Sequence, residues 1–353
     1  MLQRPWYDPE KSYDENFDGG PSAGFGTAPA VPHAGLPGDG YNFFGKPLRF
    51  PFGIPAGPLL NSAYVIAALD NGFDVPVYKT VRTKEYASHG YPNVLPVDVD
   101  GDLTFEKASR GLVTKDTYGE PLSITNSFGV PSKDPSLWQE DMEKAVRHAG
   151  PGQHVIGSFQ GTGRPNENYI EDWVLAAKLV SETGVSAIEA NLSCPNEGTS
   201  HLLCFDAEKV RTIADNIKSA VGDMPLLIKI AYFEEAPLKD FVTKVGGVIN
   251  GISAINTIPA EVRDKVGNQA LPGEGRLKSG VCGASIRWAG LSMVARLKNL
   301  KEEMNLSYKI VGVGGVTKPE DYRAYRDAGA DIVMSATGAM WNANLAQEIK
   351  AMK

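Results

Sequence analysis

Several side chains in this sequence stand where they could do chemistry, and the densest group is Asn191-Leu192-Ser193-Cys194-Pro195-Asn196. Two carboxamides, a hydroxyl and a thiol follow the run Ala187-Ile188-Glu189-Ala190, which reads as the end of a buried strand. Asn, Ser and Pro are also ordinary turn residues, so a plain strand-to-loop turn is the alternative. A free thiol titrates near about 8.5, which leaves only a few per cent ionised at neutral pH. Held against a carbon-bound proton and shielded by a closing loop, Cys194 could still take that proton.

Lys229 lies inside the apolar run Leu226-Leu227-Ile228-Lys229-Ile230, and Lys79 lies in Val77-Tyr78-Lys79-Thr80. A buried lysine is costly to keep charged unless it meets an anion. Each therefore faces the electron-rich edge of a bound cofactor, serves as a Schiff-base amine, or is a salt-bridged structural residue.

A third signal is the glycine turn Val311-Gly312-Val313-Gly314-Gly315-Val316, followed by Thr317-Lys318-Pro319-Glu320, which fits a capping box opening a helix. Together with Ser335-Ala336-Thr337-Gly338 it offers backbone N–H groups and a helix dipole to a phosphate. The glycines do not form GxGxxG, which sets a Rossmann site aside. Of the three cysteines, Cys204 and Cys282 read as inert core residues. No spacing suggests a disulfide framework, zinc or an iron–sulfur cluster. None of the five histidines sits in a relay-like context.

Positioning these groups falls to an alternation of short apolar runs and amphipathic stretches. Strands are expected near Gly53–Ala56, Val75–Thr80, His154–Gln160, Ala187–Leu192, Pro225–Ile230, Gly251–Thr257, Tyr308–Val313 and Asp331–Ala336, with helices between them. That pattern predicts a (β/α)₈ TIM barrel over residues 48–353, with its site at the C-terminal strand ends. Residues 1–47, rich in Gly and Pro, read as an irregular arm whose aromatics favour wrapping onto the barrel. The stretch 83–150 is expected to hold a hairpin over Asn93–Phe105, turning at Asp100-Gly101, and a helix near Pro135–Ala149; residues 258–282 read as irregular.

A net charge of −7 argues against a nucleic-acid partner. No apolar run approaches the roughly 18 residues of a membrane span, and no signal-peptide pattern opens the chain, so a cytoplasmic location without membrane association is expected.

With these residues in place, the chain resembles the dihydroorotate dehydrogenases over roughly residues 46–350. The resemblance rests on Ile54-Pro55-Ala56-Gly57, Tyr78-Lys79-Thr80, Asn126-Ser127-Phe128-Gly129-Val130-Pro131, Asn191 to Asn196, Ile228-Lys229, Ile255-Asn256-Thr257, Gly280-Val281-Cys282-Gly283, Val311 to Val316 and Ala336-Thr337. It implies FMN as cofactor, its phosphate on the backbone of Gly283, Gly314, Gly315, Ala336 and Thr337. Ala56, Gly57 and Thr80 would line the isoalloxazine with Lys79, Asn126 and Asn191 close by, and Lys229 would stabilise charge at its N1 side. Asn126, Asn191, Asn196, Asn256, Thr257 and Lys79 would hold dihydroorotate or orotate, and Cys194 would be the general base. Cysteine there marks the soluble class 1 type, which works as a homodimer or with a separate electron-transfer subunit. A dihydropyrimidine dehydrogenase-like enzyme acting on uracil-type bases shares the Asn-Leu-Ser-Cys-Pro core and is the nearest rival. A flavin-free lyase using Lys229 and a catalytically silent FMN-binding protein fit the same residues less completely.

Overall fold

The structure is a computed structural model that describes residues 2, 4–22, 25, 40–162, 169–193 and 202–352. Ahead of the barrel, α1 (Tyr13–Gly19) is opened by the Ser12 hydroxyl, which accepts from the Glu15 N–H, while the Glu15 carboxylate accepts from the Ser12 N–H. The arm is thus less irregular than its composition suggests, because this one capping box suffices to start a helix. Its aromatics do wrap inward: Trp6, Tyr7, Tyr13 and Phe25 are all buried, and Trp6 stacks on Phe25 at 3.8 Å. A small antiparallel ribbon follows, β1 (Asn42–Phe43) with β2 (Lys46–Pro47).

The barrel starts with β3 (Phe52–Ile54), α2 (Ser62–Asp70) and β4 (Val75–Val81). An insertion then supplies β5 (Val94–Pro96), α3 (Phe105–Arg110), β6 (Leu112–Val113), β7 (Ser123–Asn126) and α4 (Pro135–His148). Regular alternation resumes with β8 (Ile156–Phe159), α5 (Tyr169–Glu182), β9 (Ala187–Asn191), α6 (Ala207–Val221), β10 (Leu226–Ile230), α7 (Glu235–Val245) and β11 (Gly251–Ala254). The second insertion is β12 (Ile258–Arg263) and β13 (Lys278–Gly283). The chain closes with α8 (Arg287–Glu303), β14 (Lys309–Val313), α9 (Pro319–Ala328), β15 (Ile332–Met334), α10 (Thr337–Trp341) and α11 (Leu345–Ala351).

Strands β10, β11, β14, β15, β3, β4, β8 and β9 close in that order into a parallel barrel, as the alternation predicts. Its helices bury one stripe each. In α6, Val210, Ile213, Ala214 and Ile217 recur at helical spacing and are buried, while the Asp206 carboxylate accepts from the Lys209 N–H at the start.

Side chains that alternate along each strand fill the barrel in levels. The lower level is apolar, with Val75, Val77, Ile156, Ala187, Leu227, Val311 and Ile332, and Phe43 and Leu48 close its base. Two residues further along β8, β9, β10 and β11 stand Ser158, Glu189, Lys229 and Ser253, all buried. Polarity therefore begins inside the barrel, below its mouth.

The two insertions do not form separate loops. They join into one five-stranded sheet, ordered β5-β7-β13-β12-β6, which stands beside the barrel mouth. This corrects two expectations. The segment 93–105 is not a hairpin: β5 pairs with β7, placing Val94 opposite Asn126, and α3 begins at Phe105. Residues 258–282 are not irregular throughout, since β12 pairs antiparallel with β13 and β13 with β7. Pairings such as Ile124 with Cys282 join segments far apart in sequence, so local pattern carries little sign of them. The cap of α9 also shifts by one residue. Asp321, rather than Glu320, accepts the N–H groups of Thr317 and Lys318.

Candidate active site

A cleft opens at the C-terminal ends of the barrel strands, where the inserted sheet forms its side wall. Ala56 and Gly57 follow β3, Lys79 and Thr80 end β4, and Asn191 ends β9. Lys229 enters from β10, Asn256 and Thr257 follow β11, and Ala336 and Thr337 follow β15. Asn126 of β7 and Cys282 of β13 come from the insertions. The fold thus brings together residues spread across most of the chain.

Polar contacts fix this lining. Asn256 Nδ2 donates to the Ser193 carbonyl at 3.0 Å and to its hydroxyl at 3.1 Å. The Ser193 N–H and hydroxyl in turn approach Asn191 Oδ1, each at 3.4 Å. Asn191 and Asn256 are therefore linked through the residue that precedes Cys194. Thr80 and Ser158 share a hydrogen bond at 3.0 Å, and Lys229 Nζ donates to the Ala56 carbonyl at 3.4 Å. Burial pushes the Lys229 ammonium below its ordinary range, while the carboxyl of Glu189 pulls it back up. Cys194 and Asn196 lie outside the described residues.

Gly283, Gly314 and Gly315 are not part of the cleft lining. They follow the lining residues Cys282 and Val313 directly and lead to a second hollow lined by Ala284, Arg287, Thr317, Lys318 and Gly338. Gly315 has φ 70°, and a Cβ there would stand 2.7 Å from the Arg287 backbone nitrogen, so no side chain fits.

The cleft suits a flat, partly anionic cofactor. Nothing stands within 4 Å of where a Cβ on Gly57 would lie, so a planar ring can approach that backbone closely. The two lysines and three carboxamides around it match a ring with carbonyl and imide edges.

Cys282 is the clearest departure from the sequence reading. In place of an inert core residue, it is a lining residue, and its sulfur accepts from Asn126 Nδ2 and from the Thr337 hydroxyl, each at 3.4 Å. Burial pushes its thiol up, away from ionisation. Cys204 is the residue that matches that reading: it is fully buried, with its thiol pushed up to about 12 by burial. Two further residues carry no signal in sequence. Tyr7 of the arm lines the cleft, its ring edge-on to Phe128 at 5.5 Å. Arg276, also buried, donates to the carbonyls of Gly90, Pro92, Ser127 and Pro272 and so ties both insertions to the Asn126–Pro131 segment.

A closed parallel barrel with lysines and carboxamides gathered at the C-terminal ends of its strands is the architecture of a (β/α)₈ barrel enzyme. A family model described as dihydroorotate dehydrogenase matches residues 114–352, and the chain belongs to that family of flavin-dependent oxidoreductases. It is 34% identical to the dihydroorotate dehydrogenase of Dictyostelium discoideum over 359 residues, covering 98% of this chain and 97% of that protein. The catalytic subunit of dihydroorotate dehydrogenase B (NAD(+)) from Thermodesulfovibrio yellowstonii is 26% identical over 239 residues, 67% of this chain and 73% of that one. The PreA subunit of NAD-dependent dihydropyrimidine dehydrogenase from Escherichia coli is 27% identical over 197 residues, 54% of this chain and 46% of that one. No helix among the described residues is long and apolar enough to cross a membrane.

Proposed function

We propose that this chain oxidises dihydroorotate to orotate with FMN, in the cytoplasm, as a step of pyrimidine synthesis. The observation that carries the reading is the convergence of Asn126, Asn191 and Asn256 with Lys79 and Lys229 on one cleft. A small anion with an imide edge needs donors and acceptors side by side, which carboxamides supply, and a cation for its carboxylate.

FMN, when bound, would supply the acceptor for the hydride that leaves substrate C6. Ala56, Gly57 and Thr80 would lie against its ring system, and the backbone at Gly283, Gly314, Gly315, Ala336 and Thr337 would take the phosphate. Lys229, buried inside the barrel mouth, would offset negative charge at the N1 side, where a low-dielectric setting makes a fixed cation effective. Lys79, Asn126, Asn191, Asn256, Thr257 and Asn196 would orient the substrate. Asn256 spends its Nδ2 on Ser193, which leaves its carbonyl oxygen for a ligand N–H. Cys194, next to Ser193, removes the C5 proton. The chain works as a homodimer or with a separate electron-transfer subunit.

The test is anaerobic mixing of purified protein with dihydroorotate. A yellow protein that bleaches supports the assignment. A colourless protein excludes FMN and favours a lyase. A yellow protein bleached only by dihydrouracil moves the substrate to reduced uracil-type bases, and one bleached by neither substrate is a silent flavoprotein. Cys194→Ala should bind both ligands and slow flavin reduction by about a hundredfold or more. Fumarate, NAD and quinone, offered in turn to the reduced protein, identify the oxidant.

A further inference from the structure

Glu189 sits inside the barrel with its side chain fully buried, and neither carboxyl oxygen has a hydrogen-bond partner of ordinary geometry among the described residues. A buried carboxyl with only the Ser253 and Ser158 hydroxyls to hydrogen-bond it is costly to keep charged. Its position explains what it answers to. On β9 it precedes Asn191 by two residues, so both point inward, with Asn191 at the cleft and Glu189 one level below. Across β10, Lys229 is level with Asn191, and Leu227 with Glu189. The backbone position of Glu189 is thus offset from that of Lys229 by two residues along the strand, about 6.6 Å at about 3.3 Å each.

Besides Glu189, the Cys282 thiol also acts on Lys229, and the neighbouring strands present hydroxyls. Ser158 stands opposite Glu189 on β8, and Ser253 stands opposite Lys229 on β11, where its hydroxyl is also without a partner of ordinary geometry. Both hydroxyls favour the charged carboxyl, though less than Lys229 does, and Lys229 is the cation coupled to the Glu189 charge. Burial pushes the carboxyl up and the amine down, and each opposes the other's shift.

We propose that Glu189 is a positioning residue for Lys229, a buried counter-charge that keeps this lysine protonated and its ammonium held at the cleft. The inference rests on the proposed flavin reaction for the charge that Lys229 serves. Without the carboxyl, Lys229 becomes a neutral amine in a dry barrel and no longer offsets negative charge at the cofactor.

The proton on Lys229 can be read directly in protein stripped of any cofactor, because cyanate carbamylates only the neutral amine. In Glu189→Gln, Lys229 is expected to react at neutral pH at least tenfold faster than in the unaltered chain, while exposed lysines react equally in both. Equal rates at Lys229 would overturn the proposal. A thermal-unfolding cycle over Glu189→Gln, Lys229→Met and the double variant gives a second reading. The double variant should be more stable than the summed single losses predict, whereas additive losses sink the idea. If Glu189→Gln fails to fold, rescue by adding Lys229→Met supports the pairing, and no rescue overturns it. Neither measurement needs flavin, so a chain that never binds FMN would refute the proposed reaction separately.

Discussion

Asn126 and Cys282 meet in the side wall of the cleft, with the carboxamide nitrogen donating to the sulfur at 3.4 Å. The contact joins the two insertions, and the Thr337 hydroxyl donates to the same sulfur from the barrel. Cys282 therefore orients two donors, one from the first insertion and one from the barrel. Cys282→Ala removes the acceptor at the cost of a small loss of volume. At about 1 kcal/mol for a net hydrogen bond, FMN affinity should fall by about fivefold, and Cys282→Ser should restore most of it. Titration of cofactor-free protein by flavin fluorescence measures both. Equal affinities for all three proteins would remove Cys282 from the site.

Tyr7 is fully buried at the cleft, and its hydroxyl has no hydrogen-bond partner among the described residues. Burial holds the phenol protonated far above neutral pH, so it can only offer a proton to a ligand oxygen or accept from a donor. Tyr7→Phe is expected to leave the free protein as stable as before or more stable by up to about 1 kcal/mol, because an unpaired buried hydroxyl is a cost. Ligand affinity should fall by about tenfold. Calorimetric unfolding with and without ligand separates the two effects, and a stability loss in the free protein would show that the hydroxyl serves the fold.

Arg276 holds a buried cation on four backbone carbonyls and the Ser127 hydroxyl rather than on a carboxylate. Arg276→Met fills similar space but takes a charged donor from all four carbonyls, of which, among the described residues, only Gly90 and Ser127 keep another donor, Asn93 Nδ2. A loss of about 3 kcal/mol or more is expected in denaturant unfolding. The KM for substrate should rise as well, since Asn126 is adjacent to the Ser127 that Arg276 grips. A variant with normal stability would show that other donors replace the guanidinium.

The barrel is legible in the sequence because its rules are local. Strands such as Leu226–Ile230 are short, apolar and followed by amphipathic helices, and polar residues at their ends face one rim. Lys229 stands out because it interrupts such a run. Glu189 does the same in Ala187–Asn191, yet in sequence it passes for part of the strand, since its meaning lies in a neighbour across β10. The inserted sheet escapes a local reading for a similar reason. β7 and β13 are short and rich in Ser, Thr and Gly, and they become strands only by pairing with each other across the chain. Tyr7 and Cys282 carry no spacing at all; only closure of the barrel brings both to the cleft.

His154 provides a pH test of the barrel base. Its Nε2–H donates to the Pro47 carbonyl at 2.8 Å, its Nδ1 accepts from the Ser186 hydroxyl at 3.0 Å, and its ring stacks on Phe43 at 4.7 Å. Burial lowers its affinity for a proton; Lys46 adds to this, while the Pro47 carbonyl and Asp74 oppose it. With the folded-state value below the unfolded one, the unfolded chain binds the proton first as pH falls. Stability is therefore fully present above about pH 6.5 and is lost as pH drops from there through the folded-state value. His89, lowered by burial and by Arg276, acts in the same direction. The carboxylates held low, Asp134 and Asp206 among them, act only below about pH 4, so the histidine window stands apart. Glu189, raised by burial, works in the opposite sense but is common to the proteins compared. His154→Gln keeps a donor and an acceptor without a titrating ring. Its Tm should fall less between pH 7 and pH 5 than that of the unaltered chain, and parallel profiles would place the acid-sensitive group elsewhere.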